Sequence, residues 1–409
     1  MSASKIAVIG AGVVGVATAL SLAELGFDVT VIDQNDDLAQ GASGRNGAQL
    51  SYNYTDALGS PSTLKQMPKL IAGLDPAFRM RPQIDSDFVR WSMTLLRNSS
   101  QAQFEKSTLQ LLELALESKQ VMHNWLEKYA FEFGHRQVGK LQLHTSTSAL
   151  EACKKIVQLK NDAGANQRLV SAGEVLELEP AIQLSTVNFA GAVYSPDEEV
   201  GDVVRFLDQV SRYLTANKPV RFLMGTEITG INKEGRLVRS LQSSAGELEF
   251  DQFIVCAGHA SSRLSRKLGL NIPPIIAGTG YSLTYPSIAS SPNLSVTDAA
   301  TKTVFCRLDN SIRIAGMMDI GYSMKELPIR RLRRLQQQVE SRFPALADFS
   351  GEGDPWMGQR PMTANNQPII RPAHELSNVF LNTGHGMLGW TLAAASAERL
   401  AKIVYDSVN

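Results

Sequence analysis

Residues 5–33, KIAVIGAGVVGVATALSLAELGFDVTVID, restrict the possible folds of this chain more than any other stretch. A β-rich apolar run leads into Gly10, Gly12 and Gly15, spaced G-x-G-x-x-G. A helical stretch follows to about Leu25, and a second β-rich run ends on Asp33. Each glycine answers its own steric demand: Gly10 a sharp turn, Gly12 the approach of backbone to a pyrophosphate, Gly15 close packing of helix on strand. The phosphates would sit on the unpaired N–H groups where Val13 and Val14 open the helix. Asp33, with Gln34 beside it, is spaced to reach a ribose hydroxyl and would repel a 2′-phosphate, which favours FAD or NAD over NADP. The rival reading is a secretory signal or membrane span, since 6–23 carries no charge. Three glycines, a lone basic flank at Lys5 and the β-rich run that follows argue against it.

At 409 residues and 44% hydrophobic, the chain is large enough for two domains that share a cleft. Lys plus Arg equals Asp plus Glu at 40 each, so charge gives no reason to expect nucleic acid as a partner. Cys153, Cys256 and Cys306 form no C-x-x-C pair, which fits a reduced, cytoplasmic setting without a disulfide framework. With the 6 histidines scattered and lacking H-x-x-x-H spacing, no metal site is expected.

Along the chain, the loop 40–49, QGASGRNGAQ, is too polar and glycine-rich to pack, and its successive N–H groups suit phosphate, ribitol or a flavin edge. Residues 52–82 hold 4 prolines and read as a long connection or lid. Residues 85–129 read as one helical region whose apolar stripe, Leu109, Leu112, Leu116, Val121, Trp125 and Tyr129, is core. Short helices are expected at 150–160 and at 171–178, the second with Ser171 and Glu174 as a capping box. A helix at 201–214 and sheet to about residue 243 precede FIVCAG, an apolar strand ending at Ala257 and Gly258, where the chain returns to the nucleotide-binding sheet. Strands recur from 270 to 330. Residues 330–343 form a basic amphipathic helix read as a solvated face. Finally the strand in VFLNTGHGMLGW leads to a helix at 391–405, whose N-terminus could face a negative centre such as a reduced flavin.

Four segments taken together resemble the bacterial D-amino acid dehydrogenases, within the D-amino acid oxidase and glycine/sarcosine oxidase superfamily of FAD proteins. They are the opening motif, 61–97 (PSTLKQMPKLIAGLDPAFRMRP and FVRWSMTLLR), WMGQRPMT at 356–363 and NTGHGMLGWT at 382–391. The resemblance runs from about 5 to 404. It implies an α/β fold: a Rossmann-like FAD-binding domain of glutathione-reductase type, with a second α+β substrate domain on a mixed or antiparallel sheet. The expected division assigns 1–82, 146–262 and 346–409 to the FAD domain, and 83–145 and 263–345 to the substrate domain.

The implied activity is oxidative deamination of D-amino acids to 2-oxo acids and ammonia, by hydride transfer from the α-carbon to flavin N5. Electrons then pass to a quinone or another acceptor. By resemblance, Gly10, Gly12, Gly15 and Asp33 bind the ADP half. Ser43, Arg45, Asn46, Gly47, Ala48 and Gln49 lie in the loop beside the flavin, and Gly384, Gly386, Met387, Leu388, Gly389, Trp390 and Thr391 on the turn facing its ring. Arg360 corresponds to the arginine that pairs with the substrate carboxylate in glycine oxidases, and a bidentate guanidinium suits that role. His385 and Tyr281 are the other candidates at the reacting centre, with a turn residue and a core tyrosine as their alternatives. Cys306 and His385 are conceivable points of covalent flavin attachment.

Two departures bear on substrate. The dehydrogenases carry Phe-Ala-Asn-Ala-Gly where this chain has Gly-Arg-Asn-Gly-Ala at 44–48. Glycine oxidases place a second arginine where this chain has Met387 and Leu388. A glycine or sarcosine oxidase producing hydrogen peroxide, and a flavoprotein subunit acting with a partner protein, are the alternatives. Residues 61–82 and 330–343 are the surfaces expected to meet a partner or, peripherally, the inner membrane.

Overall fold

The computed structural model describes residues 4–322 and 326–409; the expected segments 1–82 and 263–345 include 1–3 and 323–325, which lie outside it. In the first strand, Lys5–Ile9, apolar residues alternate between two faces, and both faces are covered. Ile6 and Val8 join a core with the helices Val13–Glu24, Val203–Asn217 and Gly389–Val408, with the long helix Gln101–Tyr129 packed outside them. Ala7 and Ile9 join a second core beneath an antiparallel sheet of Ile228–Glu234, Leu237–Ser243 and Gly246–Glu249. Strands buried on both faces pair in parallel. The resulting sheet runs Val220–Leu223, Asp28–Ile32, Lys5–Ile9, Gln252–Val255, Val379–Thr383, with Ile369–Pro372 antiparallel at its edge.

The second sheet has nine strands and is mixed. Asp354–Thr363, Ile275–Pro286, Ser311–Ile320, Thr303–Leu308 and Ser295–Asp298 pair antiparallel in that order, and Ser295–Asp298 then runs parallel to Lys140–His144. One face buries Tyr281, Leu283 and Ile314 against Leu332, Leu335 and Val339 of the helix Ile329–Arg342. The other face looks toward the first sheet.

Several local expectations change. Residues 85–129 form two helices, Ser86–Arg97 and Gln101–Tyr129, because Ser100 starts the second by accepting the Gln103 N–H. On the long helix the buried stripe centres on Leu111, Leu112, Ala115, Val121, Met122 and Trp125, while Leu109, Leu116 and Tyr129 are only partly covered. The segment 52–82 is docked rather than a free connection. Ser60 caps a helix Pro61–Ile71 whose first residue is a proline, a position that needs no N–H partner. Phe78–Met80 then adds to the second sheet beside Met318, Asp319 and Ile320. The helix expected at 150–160 is split into Thr147–Ala152 and Lys154–Asn161. At 171 half of the expected capping box forms: Ser171 Oγ accepts the Glu174 N–H at 3.3 Å, while the Glu174 carboxylate pairs with Arg168 instead.

The topology also moves the expected domain boundaries. Gly191–Ser195 and Arg168–Ser171, expected in the FAD domain, belong to the second sheet, the first pairing with Lys140–His144 and the second lying at the edge beyond it. The helix Gln101–Tyr129, expected in the substrate domain, buries its stripe in the core of the first sheet. Apolar faces pack on the nearest uncovered apolar surface, and here that surface belongs to the other sheet.

Candidate active site

The glycine turn shows three distinct steric roles. Gly10 has φ +119°, and a Cβ there would lie 2.4 Å from the Cys256 carbonyl oxygen. At Gly15 a Cβ would lie 1.8 Å from the Gly10 carbonyl oxygen, so helix and turn touch through backbone. Gly12 is different: a Cβ would meet only Ser43 Oγ, at 3.3 Å, and the space beyond is cleft. The helix Val13–Glu24 has no acidic residue in its first turn, which leaves its positive end for a ligand. Ser43 reaches back to accept the Val13 N–H at 3.0 Å.

From this turn a cleft crosses the C-terminal ends of the parallel strands, where ligands bind in open α/β sheets. Asp33 stands toward one end, its Oδ2 accepting the Ala11 N–H at 2.7 Å and its Oδ1 the Asn35 N–H at 2.9 Å. A carboxylate has about four lone-pair positions, so acceptor capacity remains for a ribose. Val13, Val14, Gln34, Ser43, Asn46, Ala257 and Gly258 line the middle. Gly384, His385, Gly386, Met387, Gly389 and Trp390 line the far end with Arg360. The glycine cradle, the uncompensated helix end and the length of the cleft fit a dinucleotide such as FAD.

Arg360 comes from the strand Asp354–Thr363, and its local fold is built around the guanidinium. The neighbouring strands lose register between Thr279 and Tyr281, leaving Met317 in a bulge at φ +61°. Bulges re-aim backbone beside active sites; here the Met317 carbonyl accepts from Arg360 Nη1 at 3.2 Å. Gly280 makes the room, since a Cβ there would lie 2.4 Å from the guanidinium carbon. Burial lowers Arg360 to about 10, so it stays protonated at neutral pH. No carboxylate pairs with it among the described residues.

His385 is buried, its Nε2 3.0 Å from Ser396 Oγ, which in turn donates to the Ala393 carbonyl. Burial pushes it down to about 3 and keeps the ring neutral, which makes it a weak base. Tyr281 does not line the cleft. One residue on from Gly280, it takes the opposite face of its strand, enters the second-sheet core and donates to Asp319 Oδ2 at 2.7 Å. Strand parity decides this.

The loop 40–49 divides at Asn46, whose side chain accepts the Ala48 N–H at 2.8 Å, and Ala48 sits at φ +56°. That turn sends the rest of the loop toward the second sheet. Gly47 accepts the Cys306 thiol at 3.3 Å, and Gln49 Oε1 accepts from Lys140 at 3.0 Å. Arg45 pairs with Asp354 at the surface. Thr391 accepts the Ser51 N–H at 3.0 Å, and Leu388 packs into the first core. None of Gly15, Arg45, Gly47, Ala48, Gln49, Leu388 or Thr391 lines the cleft. Cys306 is fully buried and raised to about 12 by burial, so it offers no nucleophile there.

Sequence reasoning missed Thr226, Glu227, His259, Arg263, Lys267 and Gln359, all of which line the cleft. The first two follow the strand beside Asp28–Ile32, joined to it as the Thr226 N–H donates to the Asp33 carbonyl at 2.8 Å. Reading 220–223 as the third parallel strand would have found them.

With the geometry in place, comparison with known proteins adds its own findings. A model of the DAO family, FAD dependent oxidoreductase, matches residues 5–403. D-amino acid dehydrogenase of Vibrio vulnificus (strain CMCP6) is 31% identical over 402 residues, covering 98% of this chain and 95% of that one. D-amino acid dehydrogenase 2 of Ralstonia nicotianae is 32% identical over 414 residues, covering 98% and 96%. Among solved structures, glycine oxidase from Bacillus cereus ATCC 14579 superposes with a TM-score of 0.75 at 19% identity, covering 98% and 95%. L-alpha-glycerophosphate oxidase from Mycoplasma pneumoniae, with FAD bound, gives 0.74 at 18%, covering 99% and 95%. These two share the fold.

Proposed function

The chain belongs to the DAO family of FAD dependent oxidoreductases, and from that premise we propose that it dehydrogenates D-amino acids to imino acids, which water hydrolyses to 2-oxo acids and ammonia. The observation that carries this reading is Arg360, a desolvated guanidinium facing the FAD cleft with no protein carboxylate beside it among the described residues. A substrate carboxylate would supply the missing anion, held bidentate. The two D-amino acid dehydrogenases of similar sequence favour an amino acid as the owner of that carboxylate.

When bound, FAD supplies the two-electron acceptor for the substrate Cα–H. The residues of this chain hold and orient. Gly12 and the N–H of Val14 would carry the pyrophosphate, with Ser43 at the Val13 N–H beside them, and Asp33 a ribose. Arg360 fixes one end of the substrate, and burial of the site strengthens that contact by excluding water. His385, neutral and tied to Ser396, is a positioning residue for the turn 384–389. The acidic residues of the cleft wall, Asp33 and Glu227, stand at the opposite end from Arg360. The amine must therefore arrive unprotonated, or lose its proton to water.

The test is anaerobic bleaching of the flavin band with D-amino acids, their L-enantiomers, glycine and sarcosine. Rapid bleaching by D-amino acids that is lost in Arg360→Ala supports the reading. Bleaching by glycine or sarcosine alone replaces it with an amine oxidase. No bleaching by any of them points to a subunit that works only with a partner protein.

For the electrons, the reading extends to a quinone reached from a membrane surface. In support, Val89, Met93 and Leu96 form an exposed stripe on the helix Ser86–Arg97, beside Arg90 and Arg97, and Leu74 and Ile84 are exposed nearby in sequence. Apolar side chains flanked by cations suit an anionic bilayer. No helix among the described residues is long and apolar enough to cross a membrane, so contact would be peripheral. Flotation with phosphatidylglycerol vesicles, abolished by Met93→Glu with Leu96→Glu, is the expected result; equal flotation of the variant overturns this part.

A further inference from the structure

Away from the cleft, two histidines outside every motif converge on one carboxylate. His123 lies on the helix Gln101–Tyr129, and His135 just ahead of the strand Arg136–Gln137. Glu199 opens the strand Glu199–Val200, which pairs with Arg136–Gln137 on one side and Gln49–Leu50 on the other. His123 Nε2 lies 2.5 Å from Glu199 Oε1, and His135 Nε2 2.8 Å from Oε2. Among the described residues this is the one group of three or more such side chains whose ligand atoms lie within 4.8 Å of one another. Their spacing in sequence conceals it, because they come from three elements.

The charge arithmetic is what makes the cluster unusual. The Glu199 carboxylate is fully buried, and no lysine or arginine pairs with it among the described residues. Its further partner is the Tyr52 hydroxyl, which donates to Oε2 at 3.2 Å. A buried carboxylate is costly unless a cation compensates it. Two imidazoles do so only when protonated; otherwise the compensating charge has to come from elsewhere.

We propose that His123, His135 and Glu199 form a binding site for a divalent transition metal of the zinc class. Two imidazole nitrogens and a carboxylate oxygen are the donor set of three-ligand zinc sites that leave a further position to water. Such a set favours zinc, nickel or copper over magnesium or calcium. The imidazoles are 35% and 20% exposed, which gives an ion a route in and lets the rings draw back to coordination distance. Tyr52 would orient the ligating carboxylate, as outer-shell partners do. The site lies outside the cleft but is joined to it through packed rings: His135 to Phe133 at 5.5 Å, and Phe133 to Trp390 at 5.8 Å. A bound ion would tie the long helix to the strand that pairs beside the flavin loop.

The test uses the untagged full chain with FAD bound, freed of metal by a chelator and titrated with ZnCl₂ by calorimetry. The expected result is one Zn²⁺ per chain and a melting temperature that rises with Zn²⁺ concentration. His123→Ala, a partly exposed change on a helix, should weaken binding by at least about tenfold and cancel the thermal effect, while His374→Ala, an exposed histidine elsewhere, should change neither. Absence of Zn²⁺ binding at micromolar concentration overturns the proposal, leaving a hydrogen-bonded triad. So does unchanged binding in both His123→Ala and His135→Ala.

Discussion

Gly12 and Gly15 occupy one motif, yet substitution should separate their roles. In Gly15→Ala the new methyl meets backbone at 1.8 Å, and neither turn nor helix can yield cheaply. Gly12→Ala meets only a serine hydroxyl at 3.3 Å. The expected outcome is misfolded or poorly soluble Gly15→Ala, but a folded Gly12→Ala that binds FAD weakly, read by circular dichroism and flavin fluorescence. Arg360→Ala leaves a carboxylate without its partner in a dry site, a loss of about 2–5 kcal/mol; kcat/KM should fall at least about thirtyfold, with Arg360→Lys intermediate. His385 is held down to about 3 against an ordinary value of about 6.5. Between those values the unfolded chain binds a proton that the folded chain does not. Stability therefore falls as pH drops below about 6.5, by up to about 1.4 kcal/mol per unit from this group. His385→Asn should flatten the melting temperature between pH 4 and 6, and an unchanged slope would remove His385 as its source. At this scale the sequence was legible in the three glycines, whose motif carries its own steric reason, and in Asp33 by its spacing from them; Arg360 was reached through resemblance alone, and it lines the cleft. The sequence was not legible for Tyr281, whose direction depends on strand parity beside a bulge, nor for His123 and His135, which meet only in three dimensions.

Among the elements, one buried carboxylate on the strand Ser311–Ile320 ties two neighbouring strands and a helix together. Asp319, fully buried, accepts from Arg79 on Phe78–Met80, from Arg331 on Ile329–Arg342 and from Tyr281 on Ile275–Pro286. Removing it strands two guanidinium groups, and Asp319→Ala should cost about 3–5 kcal/mol, seen as a lower denaturation midpoint. Tyr281→Phe leaves both ion pairs in place; it should cost about 1 kcal/mol and leave kcat near that of the parent. The helix 330–343, read from sequence as a solvated basic face, thus spends Arg331 here and Arg342 on Asp298. Periodicity exposed most helices and strands, because burial on one or two faces leaves that mark. It could not show that a serine at 100 divides a long apolar stripe, or that a proline-rich segment docks as helix and strand.

For the whole molecule, the cleft is walled by two sheets that the chain enters alternately, and a ligand bridging them should act as a clamp. Reconstitution of apoprotein with FAD at about a hundred times its Kd should stabilise it by about 2.7 kcal/mol, with a smaller gain in Gly12→Ala. The nucleotide-binding half was legible because its motif is local. The second sheet was less so, since its pairings join residues far apart and the shifted boundaries follow from them. That separation also has a cost in time. The first strand sits in the middle of its sheet, and Ile6 pairs with Gln252, 246 residues later. At roughly 5–20 residues per second, the opening segment leaves the ribosome some 12–50 s before that partner exists, with an apolar edge exposed meanwhile. Slower growth temperatures and holding chaperones should therefore raise the soluble yield of this chain more than added FAD does, because the segment that binds FAD is made first and completed late.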